Sequence, residues 1–146
     1  MEAYWKDYNP HPKGKYTNDC VKRAICAVTG WDYMEVQRGL NRTRREYLAG
    51  PHEYAANSFR AYPVYAKYFA DHGWKQHNYV DNTVHFEDSR VTGKSFCESH
   101  PTGKYILHMP NHLVGCVDGV LWDIADTSDQ KVTICWTIEG PEEGAE

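Results

Sequence analysis

A chain of 146 residues with a formal net charge of −4 has the length of one domain, burying roughly two thirds of its unfolded surface around a single core. The mild acidity and a pI near 6.0 exclude a general nucleic-acid binder, which needs a clustered excess of Lys and Arg for phosphate contact. No apolar stretch reaches the length of a membrane span, and the mean hydropathy of −0.72 is that of a soluble protein.

The five cysteines are an odd number without a C-x-x-C pair. The first residues, Met1 to Asp7, have neither the basic region nor the apolar run of a signal peptide. Reduced thiols and a cytoplasmic location are expected. In that setting the Asn41-Arg42-Thr43 tripeptide carries little weight as a glycosylation signal.

Residues 1 to 19 are polar and aromatic, punctuated by Pro10, Pro12 and Gly14, and read as an extended arm over the surface. The next stretch, Thr17 to Gly30, reads as a helix: Asn18 or Asp19 suits the N-cap, Val21, Ala24, Ile25 and Val28 recur at helical spacing, and Gly30 suits the stop. Cys20 then lies in the first turn, where unpaired N–H groups and the helix dipole favour a thiolate. By position alone a packed core cysteine is the commoner case, so a base elsewhere in the chain must decide between the two.

Asp32 to Glu35 reads as a capping box opening a short second helix that ends near Asn41, with Val36 and Leu40 on its apolar face. Arg38, Arg42, Arg44 and Arg45 cluster there with Glu46, as a solvated surface or a contact for an acidic partner. After a turn at Gly50-Pro51, Pro63 opens a third helix with Val64, Tyr68 and Phe69 inward and Gly73 closing it. Residues 74 to 81 suit a strand, and within 82 to 103 a short helix spans Lys94 to Glu98. Gly93-Lys94-Ser95 is not a phosphate loop, because the earlier glycine that motif requires would fall at Asp88.

From Lys104 onward the segments Tyr105 to Met109, His112 to Val117, Val120 to Ile124 and Val132 to Trp136 are short, apolar and separated by turn residues, which predicts an antiparallel sheet. The acidic tail 140 to 146 reads as disordered. Helices first and strands later define one α+β domain over residues 1 to 139, without internal repeats.

Asp118-Gly119 is a two-residue hairpin signal, since a type I′ turn needs positive φ at both positions. This register pairs Val117 with Val120 and Cys116 with Leu121, and places His112 and Asp123 as diagonal neighbours on one face, with β-carbons about 7 Å apart. A carboxylate there would fix the tautomer of the imidazole and steady its protonated form. A surface hydrogen-bonded pair beside an unrelated core cysteine would show the same pattern. His108 is the competing base, but Pro110 separates it from the hairpin and no carboxylate is assigned to it.

His108, His112, Cys116, Cys97 and His100 also raise the question of zinc. Along a strand Cys116 stands roughly 13 Å from His112, too far for two ligands of one ion. Neither a metal nor another cofactor is expected.

A cysteine at the head of the first central helix, followed by a histidine and then an acidic residue on adjacent antiparallel strands, resembles the papain-like cysteine peptidase superfamily. Thr17-Asn18-Asp19-Cys20-Val21-Lys22-Arg23-Ala24 is similar to the nucleophile segment of small microbial and phage-type members. The run from Asn111 to Asp123 is similar to their histidine hairpin, and Pro101 to Leu107 to the strand before it.

The resemblance implies a nucleophile helix packed on a C-terminal antiparallel sheet, with Cys20 as nucleophile, His112 as general base and then acid, and Asp123 as its orienter. It also implies an oxyanion hole made by the Cys20 N–H and an upstream side-chain amide. Papain has a glutamine where this chain has Gly14. Asn18 is the nearest amide, and the same side chain also suits the helix N-cap.

The implied reaction is hydrolysis of a peptide or isopeptide bond in a protein or peptide substrate through a thioester, without a cofactor. A transglutaminase-like acyltransferase or deamidase would use the same three residues. A non-catalytic interaction domain would instead use the eleven tyrosines and five tryptophans as a binding surface.

Overall fold

The computed structural model describes residues 4–50, 58 and 60–138. Among the described residues four α-helices and a six-stranded mixed sheet form an α+β architecture. In chain order the elements are β1 (Trp5–Asp7), α1 (Cys20–Thr29), α2 (Tyr33–Ala49), α3 (Tyr62–Asp71), β2 (Lys75–Asn78), a 3₁₀ segment (Thr83–Asp88), α4 (Gly93–Ser99), β3 (Lys104–Met109), β4 (His112–Val117), β5 (Val120–Asp123) and β6 (Ile134–Thr137). The sheet order is β1-β5-β4-β3-β6-β2. Among the described residues no helix is long and apolar enough to cross a membrane.

The expected helix at Cys20 forms, and Gly30 closes it in the left-handed region at φ 75°. Asp19 occupies the N-cap without making a side-chain capping bond. In α2 the Asp32 carboxylate does cap, accepting from the N–H groups of Met34 and Glu35. This helix runs on to Ala49 rather than ending near Asn41, because Thr43 and Tyr47 continue the buried stripe begun by Val36 and Leu40. Arg38, Arg42 and Arg45 stay on its exposed side, and Arg38 pairs with Glu35 at 2.6 Å.

The sheet departs from the antiparallel expectation at one edge. Part of the N-terminal arm is β1, which pairs parallel to β5 with Asp7 opposite Asp123. Three residues without alternating hydrophobicity carry no strand signal; Trp5 supplies the anchor by donating its indole N–H to the Asp123 carbonyl at 3.0 Å. The last strand begins at Ile134 rather than Val132. The 140 to 146 tail lies outside the described residues.

Both faces of the sheet are covered. On one, Val21, Ala24, Ile25 and Val28 of α1 pack with Ile106, Leu113 and Trp136, backed by Val36 and Leu40 of α2 and Phe69 of α3. On the other, Phe96 and Cys97 of α4 cover Leu107, Val114, Cys116 and Leu121. The approach of α1 to β4 depends on Gly115: a Cβ there would sit 2.8 Å from Ala27 Cβ and 3.1 Å from the Ala24 carbonyl oxygen. The missing side chain lets the helix backbone rest on the strand and brings the head of α1 beside the start of β4.

Candidate active site

Two tight turns aim the strand ends at α1. Between β4 and β5, Asp118 and Gly119 both take positive φ, 50° and 78°. The ladder then pairs Val117 with Val120, Cys116 with Leu121 and Gly115 with Trp122, the register the two-residue turn dictates. Between β3 and β4, Pro110 and Asn111 make a second two-residue turn, Asn111 having φ 55°. Pro followed by a positive-φ Asn is the type II pattern. Pro110 therefore does not interrupt the pairing: Met109 opposes His112 and His108 opposes Leu113.

His112 opens β4 and Asp123 closes β5, so both stand at strand ends. Their side chains meet, with His112 Nε2 2.6 Å from Asp123 Oδ2. Asp123 is 1 % exposed. Its Oδ2 also accepts from the Thr127 hydroxyl at 3.2 Å, and its Oδ1 accepts from the Ile124 N–H at 2.7 Å. The main chain of Asp123 is held too, since its carbonyl accepts from the Tyr8 N–H at 2.8 Å as well as from Trp5.

The Cys20 thiol and the His112 side chain share one cavity wall and influence each other's protonation. With Nε2 engaged by Asp123, Nδ1 is the ring nitrogen left for the sulfur. Burial disfavours a Cys20 thiolate, yet the hydrogen bonds from His112 and the Leu113 main chain, together with the charges of His112 and Arg23, outweigh it and lower the pKa. Burial likewise disfavours protonated His112, but Asp123 and Cys20 prevail and push its pKa up to about 9. Both shifts favour a thiolate beside an imidazolium near neutral pH.

Cys20 and His112 open onto a cavity of about 790 Å³, walled by Tyr65, Val84, Phe86 and Leu113. Asn18 lines it as well; its side chain is exposed and the N-cap position belongs to Asp19. Asn111, which the sequence reading did not single out, lines the same cavity from the β3–β4 turn. His108 is nearby, but its Nδ1 is hydrogen-bonded to the Thr133 hydroxyl rather than to a carboxylate. Burial and the charge of His112 hold its pKa down.

All five cysteines are free thiols, with Cys97 and Cys116 3.8 Å apart beneath α4. Among the described residues no group of three or more His, Cys, Asp or Glu side chains is placed to hold a metal ion.

The structure adds a buried ion-pair network that the sequence reading missed. Arg23 Nη1 donates to Asp19 Oδ1 at 2.6 Å, Arg23 Nη2 lies 3.3 Å from Asp123 Oδ1, and the Tyr33 hydroxyl donates to Asp19 Oδ2 at 2.7 Å. The signal was present as an Asp and an Arg four residues apart in a helix otherwise apolar on most sides. A buried helix can carry such an arginine only if it is paired. Among the described residues every buried side-chain nitrogen and oxygen has a hydrogen-bond partner.

No family model, curated protein or solved structure matches this chain.

Proposed function

We propose that this protein is a papain-like cysteine hydrolase that cleaves a peptide or isopeptide bond through a thioester intermediate. The observation that carries the reading is an imidazole paired with a buried carboxylate beside a thiol at a helix start: His112 lies 2.6 Å from Asp123 and lines one cavity with Cys20. A reaction follows from that arrangement. The Cys20 thiolate attacks the amide carbonyl, and the developing oxyanion is stabilised by the Cys20 N–H, which as the first helical residue has no intrahelical partner. Asn18, which lines the same cavity, is the side-chain amide that this reading adds to the oxyanion hole.

Collapse of the tetrahedral intermediate breaks the C–N bond as His112 gives its proton to the leaving amine, leaving an acyl group on sulfur. Water, losing a proton to His112, then attacks the thioester, and the acid is released with the thiolate restored. Asp123 keeps the ring oriented and compensates its charge throughout. A reducing cytoplasmic compartment suits a mechanism that needs a free thiol.

The test is incubation of the full chain and of Cys20→Ala with a mixed peptide library, read by mass spectrometry. New termini that require Cys20 support hydrolysis. Products that form only with an added amine would reassign the chain to acyl transfer. A Cys20 that alkylates no faster than an ordinary thiol would sink both, and leave an interaction domain on this fold.

A further inference from the structure

Arg23 is 3 % exposed, and the reaction described above makes no use of it. Its two carboxylate partners, Asp19 and Asp123, are 2 % and 1 % exposed. Burying a guanidinium between two carboxylates is a poor device for stability, because apolar residues of similar volume often do as well or better. Its placement suggests another purpose. Arg23 and the Ile124 N–H hold Asp123 Oδ1, while Thr127 and His112 take Oδ2, so the plane of the carboxylate is set from both sides. The groups then alternate in sign from buried Asp19, Arg23 and Asp123 to the half-buried protonated His112 and Cys20 thiolate, and the charges of the buried three are weakly screened.

We propose that Arg23 is a positioning residue of this site: it clamps Asp123 Oδ1 so that Oδ2 faces His112, and Asp19 sets how much of its positive charge reaches the thiol. The proposal rests on the cysteine-hydrolase reading above. Other titratable groups face the same pair, namely Tyr65 from α3, His108 from β3 and Arg60 ahead of α3, all lining the cavity. On α1, Lys22 is turned to α2, where its ammonium donates to Gln37 at 2.8 Å and lies over the Tyr33 ring. None of these is altered in the variants that test the idea.

The experiment is the pH dependence of iodoacetamide alkylation at Cys20, read by peptide mass spectrometry in the full chain, in Arg23→Gln, Arg23→Lys and Asp19→Asn. Arg23→Gln should raise the midpoint of thiolate formation by about one pH unit, and Arg23→Lys should restore part of that change. Asp19→Asn should lower the midpoint, since the guanidinium charge is no longer shared with a second carboxylate. A purely structural Arg23 would alter the melting temperature and leave the midpoint in place.

Should Arg23→Gln fail to fold, Asp19→Asn decides alone, because asparagine keeps the shape and one acceptor oxygen; an unmoved or raised midpoint overturns the proposal. A wild-type Cys20 with an ordinary midpoint overturns the cysteine-hydrolase reading and this role with it. A low wild-type midpoint shared by all variants overturns the role of Arg23 alone.

Discussion

At Cys20 and His112 the balance of burial against pairing sets a pH window with a definite sign. Cys20 loses its thiolate as pH falls through its lowered pKa, and His112 loses its proton as pH rises through about 9. Hydrolysis should therefore follow a bell whose alkaline limb lies near pH 9, measurable as kcat/KM against pH once a substrate is found. In Asp123→Asn the partner that raises the His112 pKa is gone, so the alkaline limb should move down and activity should fall by at least about tenfold. An unshifted limb would remove Asp123 from the mechanism. His112→Ala should slow alkylation of Cys20 at pH 7 by roughly tenfold or more, since the thiolate loses its main source of stabilisation; an unchanged rate would separate the two residues. The pairing of His112 with Asp123 was legible from residues alone, through a turn signal and a two-residue alternation. The role of Asp19 was not, because an aspartate before a helix reads as a cap, whereas here its carboxylate is spent on Arg23 and Tyr33.

Between elements, the closest fit is that of α1 on β4 over Gly115. Gly115→Ala should cost about 1–3 kcal/mol by urea or thermal unfolding, because its Cβ would meet Ala27 and the main chain of Ala24. Part of the strain should be relieved by lifting α1, so the reactivity of Cys20 should fall in the folded variant too. A variant as stable and as reactive as wild type would show that the helix has room to spare. Helix α1, the β4–β5 hairpin and α3 were readable in the sequence because their apolar period and turn residues agree locally. The extension of α2 past Asn41 was harder to see, since its run of arginines hides the buried Thr43 and Tyr47. The short β1 had no local signal, because its place depends on the edge of β5.

For the molecule as a whole, β1 and Tyr8 tie the N-terminal arm to Asp123, the residue proposed to orient His112. Trp5→Ala removes the indole bond to the Asp123 carbonyl and should destabilise the protein by about 1–3 kcal/mol. It should also speed hydrogen exchange at the Tyr8 amide, which donates to the same carbonyl; unchanged exchange would show that β1 holds without its tryptophan. By itself the sequence determined the helix start at Cys20, the hairpin register and the facing of His112 and Asp123, because each depends on residues close in the chain and on fixed backbone periods. Only the tertiary structure decided that α1 lies against the start of β4, that Arg23 bridges two buried carboxylates, and that the N-terminal arm closes one edge of the sheet. Those features join residues as many as 118 positions apart, and they follow from a glycine-sized contact and from the need to pair every charge removed from water.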